Sequence, residues 1–519
     1  MSKNSIIKGT LILTVAGFIT RIIGFFYRIY LSNVLGPENI GVYQLIFPVY
    51  GICFTLYAAG IQTSISRMIA AEIGKKDSSN LARILRTGLA FSVSIAIILS
   101  VLLYFNAEYV ATHILLEPRS ASSLRILSYV FPFCGITACI NGYYYGIKKA
   151  GIPATTQLLE QIVRVIVVYT AAPLLVAADT SKSCEIAVWG IVIGEIASNL
   201  YNMISMIFVK PSKLSQTYEL GISTLGRGLR NRGKEKAYAM SLLKLAIPLT
   251  SNRLLISILN SIESILIPTM LKSYGLSTSE ALSVYGVLTG MALPFILFPS
   301  AITNSFSVLL LPTVSEAQAA ENNRLINKTT TFSVKYSLII GILSTGLFIT
   351  FGNALGEKIF HNVSAGVFIT ILAWLCPFIY LTTTLGSIIN GLGKPHISFF
   401  NTVTGLAIRI LFVLLAIPKY GIWGYLVGAL ISQVVISCLD MFAIYKNVRI
   451  GFNAVDWILK PSLITAFAGF LMNRSYQYIQ GQVSMEPRLL LLSFCLILVA
   501  IYTILLFITR AISRDEFKR

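Results

Sequence analysis

Charge is what this sequence has least of. Asp, Glu, Lys and Arg together make up 12% of its 519 residues, about half the share in an average soluble domain. That excludes a soluble globular protein with an ordinary charged surface. Histidine is scarcer still. His113, His361 and His396 stand far apart near loops, and the seven cysteines lie mostly inside apolar runs without metal-ligand spacing. They read as small core residues, and no metal site is expected. There is no glycine loop closing on Lys-Ser/Thr, no HExxH and no nucleophile elbow. An ATP-driven pump from this chain alone is not expected, and neither is enzymatic activity or a cofactor.

What is present is apolar length. Hydrophobic residues make up 55% of the chain, and runs of about 20 apolar residues mark membrane helices. Fourteen can be counted: 8–34, 41–71, 84–105, 123–147, 154–177, 185–209, 241–270, 281–311, 330–353, 365–391, 396–417, 421–445, 456–479 and 488–510. They are too long for barrel strands and lack their alternation. The first lacks a small-residue cleavage site after it and reads as a retained helix. The expected fold is therefore an all-α polytopic membrane protein.

The net charge of +20 would suggest nucleic acid in a soluble protein, but here it follows the membrane. With the N-terminus inside, the inner segments hold 24 Lys and Arg and the outer loops 7. This asymmetry predicts a multi-pass plasma-membrane protein with both termini cytoplasmic, and no nucleic-acid partner. The stretch 210–240 is long, polar and basic, with Arg227, Arg230, Arg232, Lys234 and Lys236 close together. It reads as a solvated cytoplasmic connector or as a contact for anionic lipid headgroups.

The chain also repeats. Lys149 precedes Arg164 by fifteen residues, as Lys394 precedes Arg409. A Trp-Gly pair opens each following helix, Trp189-Gly190 and Trp423-Gly424, with Gly194 and Gly428 four residues on. Two six-helix lobes in parallel repeat follow, about an axis along the membrane normal. The expected division is 1–209 (N-lobe, helices 1–6), 210–240 (cytoplasmic linker), 241–447 (C-lobe, helices 7–12) and 448–519 (two extra helices and tail).

The functional signal is charge at membrane depth, which is costly and commonly faces a bundle interior or a watery cavity. Arg21 and Arg28 lie seven residues apart, on one helix face, with no acid between Ile6 and Leu35. They read as an anion-binding stripe in a transport cavity. The alternatives are pairing with acids on other helices, or Arg28 snorkelling to the outer face. Arg253, Arg164 and Arg409 are further candidates, since guanidinium grips phosphate bidentately. Glu160 and Arg164, four apart, also suit an intrahelical pair. Glu160, Glu195 and Glu263 are the candidates for ion coupling. Lys335, near a helix end, reads as snorkelling.

The stretch "TRIIGFFYRIYLSNVLGPENIGVYQLIFPVYGICFTLYAAGIQTSISR", Thr20 to Arg67, resembles the stage V sporulation protein B family. That family belongs to the polysaccharide-exporter branch of the multidrug/oligosaccharidyl-lipid/polysaccharide (MOP) superfamily. "INGLGKP", Ile389 to Pro395, resembles its second-lobe loop. The lipid II flippase family is related; its helix 1 motif is met here by Thr20, Arg21, Gly24 and Phe25. Arg21 carries over directly and Arg28 with a one-residue offset. The resemblance implies fourteen helices and an alternating-access flippase for an undecaprenyl-pyrophosphate-linked saccharide, serving peptidoglycan, spore cortex or another polymer. Its expected partners are that lipid-linked saccharide, membrane lipids and cell-wall synthesis enzymes, and the chain is expected to be monomeric. Two other functions remain open here: a cation-coupled multidrug exporter, and a non-transporting scaffold for cell-wall assembly.

Overall fold

The computed structural model describes residues 3–74, 80–176, 183–208, 232–480, 482 and 485–512. Most of the basic linker, 209–231, lies outside them, as does the tail beyond 512. Every regular element among the described residues is helical. That is what hydrocarbon demands, because a helix satisfies its own backbone polar groups.

The first part of the chain forms α1 (Lys3–Phe54), a π-helical turn (Thr55–Ala59) and α2 (Gly60–Gly74). Next come α3 (Leu81–Tyr109), α4 (Ser120–Ser128), α5 (Val130–Gly146), α6 (Gly151–Val176) and α7 (Ser183–Phe208). After the linker come α8 (Arg232–Ser273), α9 (Thr278–Gly286), α10 (Leu293–Leu297), α11 (Ser300–Ala319) and α12 (Asn323–Phe360). The chain closes with α13 (Val363–Leu372), α14 (Cys376–Gly391), α15 (Pro395–Leu415), α16 (Ile417–Tyr420), α17 (Ile422–Tyr445), α18 (Lys460–Ile479) and α19 (Pro487–Ile508).

Among the described residues, eleven helices are long and apolar enough to span a membrane, or twelve if the bent pair α4–α5 counts as one span. The sequence expectation of fourteen is larger. Part of the difference lies in α1 with α2, counted as a single span of 63 residues. It is broken at Gly36, whose φ of 74° and ψ of 171° interrupt the helix. That backbone region is almost reserved for glycine, and Pro37 follows it. The helix α6, which carries Glu160 and Arg164, is not among the eleven.

The chain divides into two compact units. One is Met1–Gly24 with Val42–Ile265, the other Phe25–Gly41 with Leu266–Arg519. In the first, α5 packs on α2 and α3, and α7 packs on α6, α5 and α4. The start of α8 runs along α2, where a side chain on Gly60 would meet Thr250 and the Ala246 carbonyl. In the second unit, the residues around Gly36 pack on α9. A side chain on Gly286 would meet the Pro37 carbonyl and the Gly41 amide. There too, α12 packs on α13, α14, α18 and α19, and α15 packs on α17. Helices in lipid gain little from excluding water, so close approach through small residues carries the packing.

Candidate functional site

Arg21 is exposed on α1. Among the described residues it has no hydrogen bond or ion pair. Gly24, one turn on, comes against α6: a Cβ there would lie 3.6 Å from Gln161 Nε2. Residues three apart share a helix face, so Arg21 stands on the side of α1 that turns toward Gln161. Arg28 is also exposed, falls in the second unit and has a contact of its own.

The acids gather where α6 meets α7. Two glycines bring these helices together. A side chain on Gly190 would strike Val168, and one on Gly194 would lie 2.9 Å from the Glu160 carbonyl. Arg164 donates to Glu160 one turn back on α6, as the spacing of four predicts. Glu195, on α7, is 5% exposed. Thr137 and Cys134 lie beside its carboxylate, and Glu160 and Arg164 act on it electrostatically. One turn further, Asn199 ties α7 to α5, its Nδ2 donating to the Phe133 carbonyl at 2.6 Å and to Thr137 Oγ1 at 2.8 Å. Tyr50 Oη and Cys134 Sγ share a hydrogen bond of 3.4 Å. Among the described residues, Glu195 Oε1 and Asn199 Oδ1 are buried without a hydrogen-bond partner. Of the predicted residues, the structure thus brings Glu160, Arg164 and Glu195 together. Sequence reasoning missed Asn199 and Thr137; the available signal was Asn199 standing four residues after Glu195.

Arg253 has a different setting. Its Nη1 donates to the Ala59 carbonyl at 2.7 Å. Ala59 ends the π-helical turn Thr55–Ala59, and such turns leave the regular ladder of carbonyl bonds. Glu263, on the same helix, is 4% exposed and has a partner. In the second unit Arg409 is half-buried on α15, also with a contact of its own. The glycines of the sequence repeat serve both helix pairs, with a shift. Gly194 faces Glu160 and Arg164, whereas Gly428 faces Phe412, about one turn beyond Arg409. Asp440, which sequence reasoning passed over, is buried on α17 and accepts from Asn401 Nδ2 at 2.7 Å. Its signal was a lone carboxylate in an apolar run. Among the described residues, no group of three or more His, Cys, Asp or Glu converges as a metal site would.

This helical architecture is shared with solved membrane transporters. It superposes on the inward closed conformation of lipid II flippase MurJ with a TM-score of 0.70 at 14% identity, covering 98% of this chain and 100% of that one. It also superposes on a multidrug resistance MATE family transporter in an inward-facing conformation, with a TM-score of 0.61 at 16% identity over 84% and 98% of the two chains. Residues 6–318 match the profile of the polysaccharide biosynthesis protein family, and the chain belongs to that family. Stage V sporulation protein B of Bacillus subtilis is 26% identical over all of this chain and 98% of its own. Lipid II flippase MurJ of the same organism is 22% identical over 79% of this chain and 76% of its own. The chain is a multi-pass membrane protein of the polysaccharide biosynthesis protein family.

Proposed function

We propose that this protein is a flippase, a transporter and not an enzyme, that carries an undecaprenyl-pyrophosphate-linked saccharide across the cell membrane by alternating access. Arg21 carries the reading. A guanidinium in a membrane span, exposed and without a partner among the described residues, is tolerable against water or a bound anion and costly against lipid. A pyrophosphate is the anion that its planar fork fits best. Arg28, two turns along the same helix, would add a second phosphate contact. The relatives support the substrate class, since one is named a lipid II flippase and the family is one of polysaccharide biosynthesis. A cationic drug is a poorer cargo, because Arg21 would repel it. The Lys/Arg asymmetry supports cytoplasmic termini.

The test is depletion of the protein in cells, with lipid-linked intermediates followed by mass spectrometry. A saccharide on undecaprenyl pyrophosphate should accumulate on the cytoplasmic leaflet and clear on re-expression. Re-expression of an Arg21→Ala, Arg28→Ala double variant at wild-type level should fail to clear it. Full clearance by that variant removes the arginines from the mechanism. An unchanged lipid pool together with lost efflux of a cationic dye would replace the flippase with a drug exporter.

A further inference from the structure

The cluster between α6 and α7 has an unbalanced charge. Glu160 and Glu195 supply two carboxylates, and Arg164, already bonded to Glu160, supplies one guanidinium. Among the described residues, the other groups facing Glu195 are uncharged: Tyr50 from α1, and Cys134 and Thr137 from α5. From α4, which also packs on α7, Arg125 is engaged instead with Glu108 at 3.4 Å. Glu117 and Arg119 pair with each other and lie beside Cys184, at the other end of α7. The trio, with Glu195 buried and Glu160 and Arg164 half-buried, is therefore one positive charge short, and for the buried carboxylate an uncompensated charge is expensive.

The unpartnered atoms point the same way. Glu195 Oε1 and Asn199 Oδ1 are both acceptors, both on side chains more than nine-tenths buried, and both without a donor among the described residues. They belong to residues four apart on one helix, whose side chains are neighbours. An O–H at Glu195 Oε1 would turn that atom into a donor and offer the Asn199 carbonyl oxygen a partner. A metal cation needs a shell of converging oxygens. Here the Asn199 amide already occupies Thr137 Oγ1 and the Phe133 carbonyl. A proton needs a single acceptor.

We propose that the Glu195 carboxylate, with Asn199 one turn away, is a proton-binding site. Loading forms the O–H bond at Oε1 with a proton drawn from water and brings the trio to neutrality. Release returns that proton to water and restores the carboxylate. The site stands apart from the flippase reading, because it needs no saccharide to be detected.

Infrared difference spectroscopy of the purified full-length protein tests it, with acidification as the only perturbation. The wild type should gain the carbonyl-stretch band of a protonated buried carboxyl, and Glu195→Gln should lose it. Glu195→Asp should keep a band at a shifted frequency, which guards against a variant that simply fails to fold. Glu160→Gln should keep the band but need a lower pH to produce it, because Arg164 then has only Glu195 to neutralise. Sodium at constant pH should change nothing. A band that survives in a folded Glu195→Gln overturns the proposal, as does its absence from the wild type. A band displaced by sodium makes this a metal-cation site and overturns it equally.

Discussion

A guanidinium in a membrane span can escape its desolvation cost through a backbone carbonyl, a carboxylate or a soluble anion. Arg253 takes the first course, through Ala59, and Arg164 the second, through Glu160. Arg21 has neither among the described residues. Substitution should separate these cases. Arg253→Ala removes a bond that ties α8 to the end of the π-helical turn and should cost about 1 kcal/mol, seen as a lower melting temperature of the purified protein. Arg21→Ala has no such bond to lose. It should leave the melting temperature near wild type while abolishing flipping in cells. Arg21→Lys should recover little, since an ammonium keeps the charge and loses the planar fork. A large drop in stability for Arg21→Ala would make that residue structural. Legibility in the sequence followed the range of each interaction. The Glu160–Arg164 pair could be read from its spacing of four. The Arg253–Ala59 bond joins residues 194 apart in sequence, and no local pattern announces it. Asn199 was hidden because an amide in an apolar helix ordinarily reads as interhelical bonding, which its Nδ2 does make while its Oδ1 stays unpartnered.

Among the elements, contact depends on missing side chains. On α12 and α13, Gly356 faces Gly366 so closely that a Cβ on Gly356 would meet the Gly366 amide and Cα, and would lie 2.9 Å from the Asn362 carbonyl. All three obstacles are backbone, which cannot turn aside as a side chain can. Gly356→Ala should therefore cost roughly 1–3 kcal/mol, the range for overpacking, measured as thermal destabilisation. Gly393→Ala serves as a contrast, since a Cβ there meets nothing but its φ of 76° is unfavourable for alanine. Its penalty comes from backbone strain alone, about 1–3 kcal/mol, and should fall on the loop before α15 and leave the α12–α13 contact intact. Helix existence was readable from apolar run length. The breaks were harder to foresee. The apolar run 281–311 divides into α9, a π-helical turn, α10 and α11, although its composition shows one stretch long enough to span the membrane.

For the whole molecule, the all-helical class was readable because it depends on summed hydropathy and charge poverty, which need no knowledge of partners. Orientation also rests on a sum, the 24-to-7 distribution of Lys and Arg, and it is open to direct measurement. Cys438 is exposed, so the test needs a background in which all seven cysteines are replaced. Ser120, which sequence places in an outer loop, is fully buried and would label poorly. Val363, 71% exposed beside the cap of α13, and Tyr445, 74% exposed at the end of α17, are better probes. If positive charge marks the cytoplasmic side, Tyr445 lies inside, next to Lys446 and Arg449, and Val363 lies outside. A membrane-impermeant maleimide should then label Val363→Cys in intact cells and reach Tyr445→Cys only after permeabilisation. The reverse pattern would invert the topology. It would also place the N-terminal end of α1, and with it the cytoplasmic approach to Arg21, on the wrong face for a substrate made inside the cell. Labelling of both from outside would break the span count between α13 and α17. Only the first pattern is compatible with a flippase that loads its saccharide from the cytoplasm.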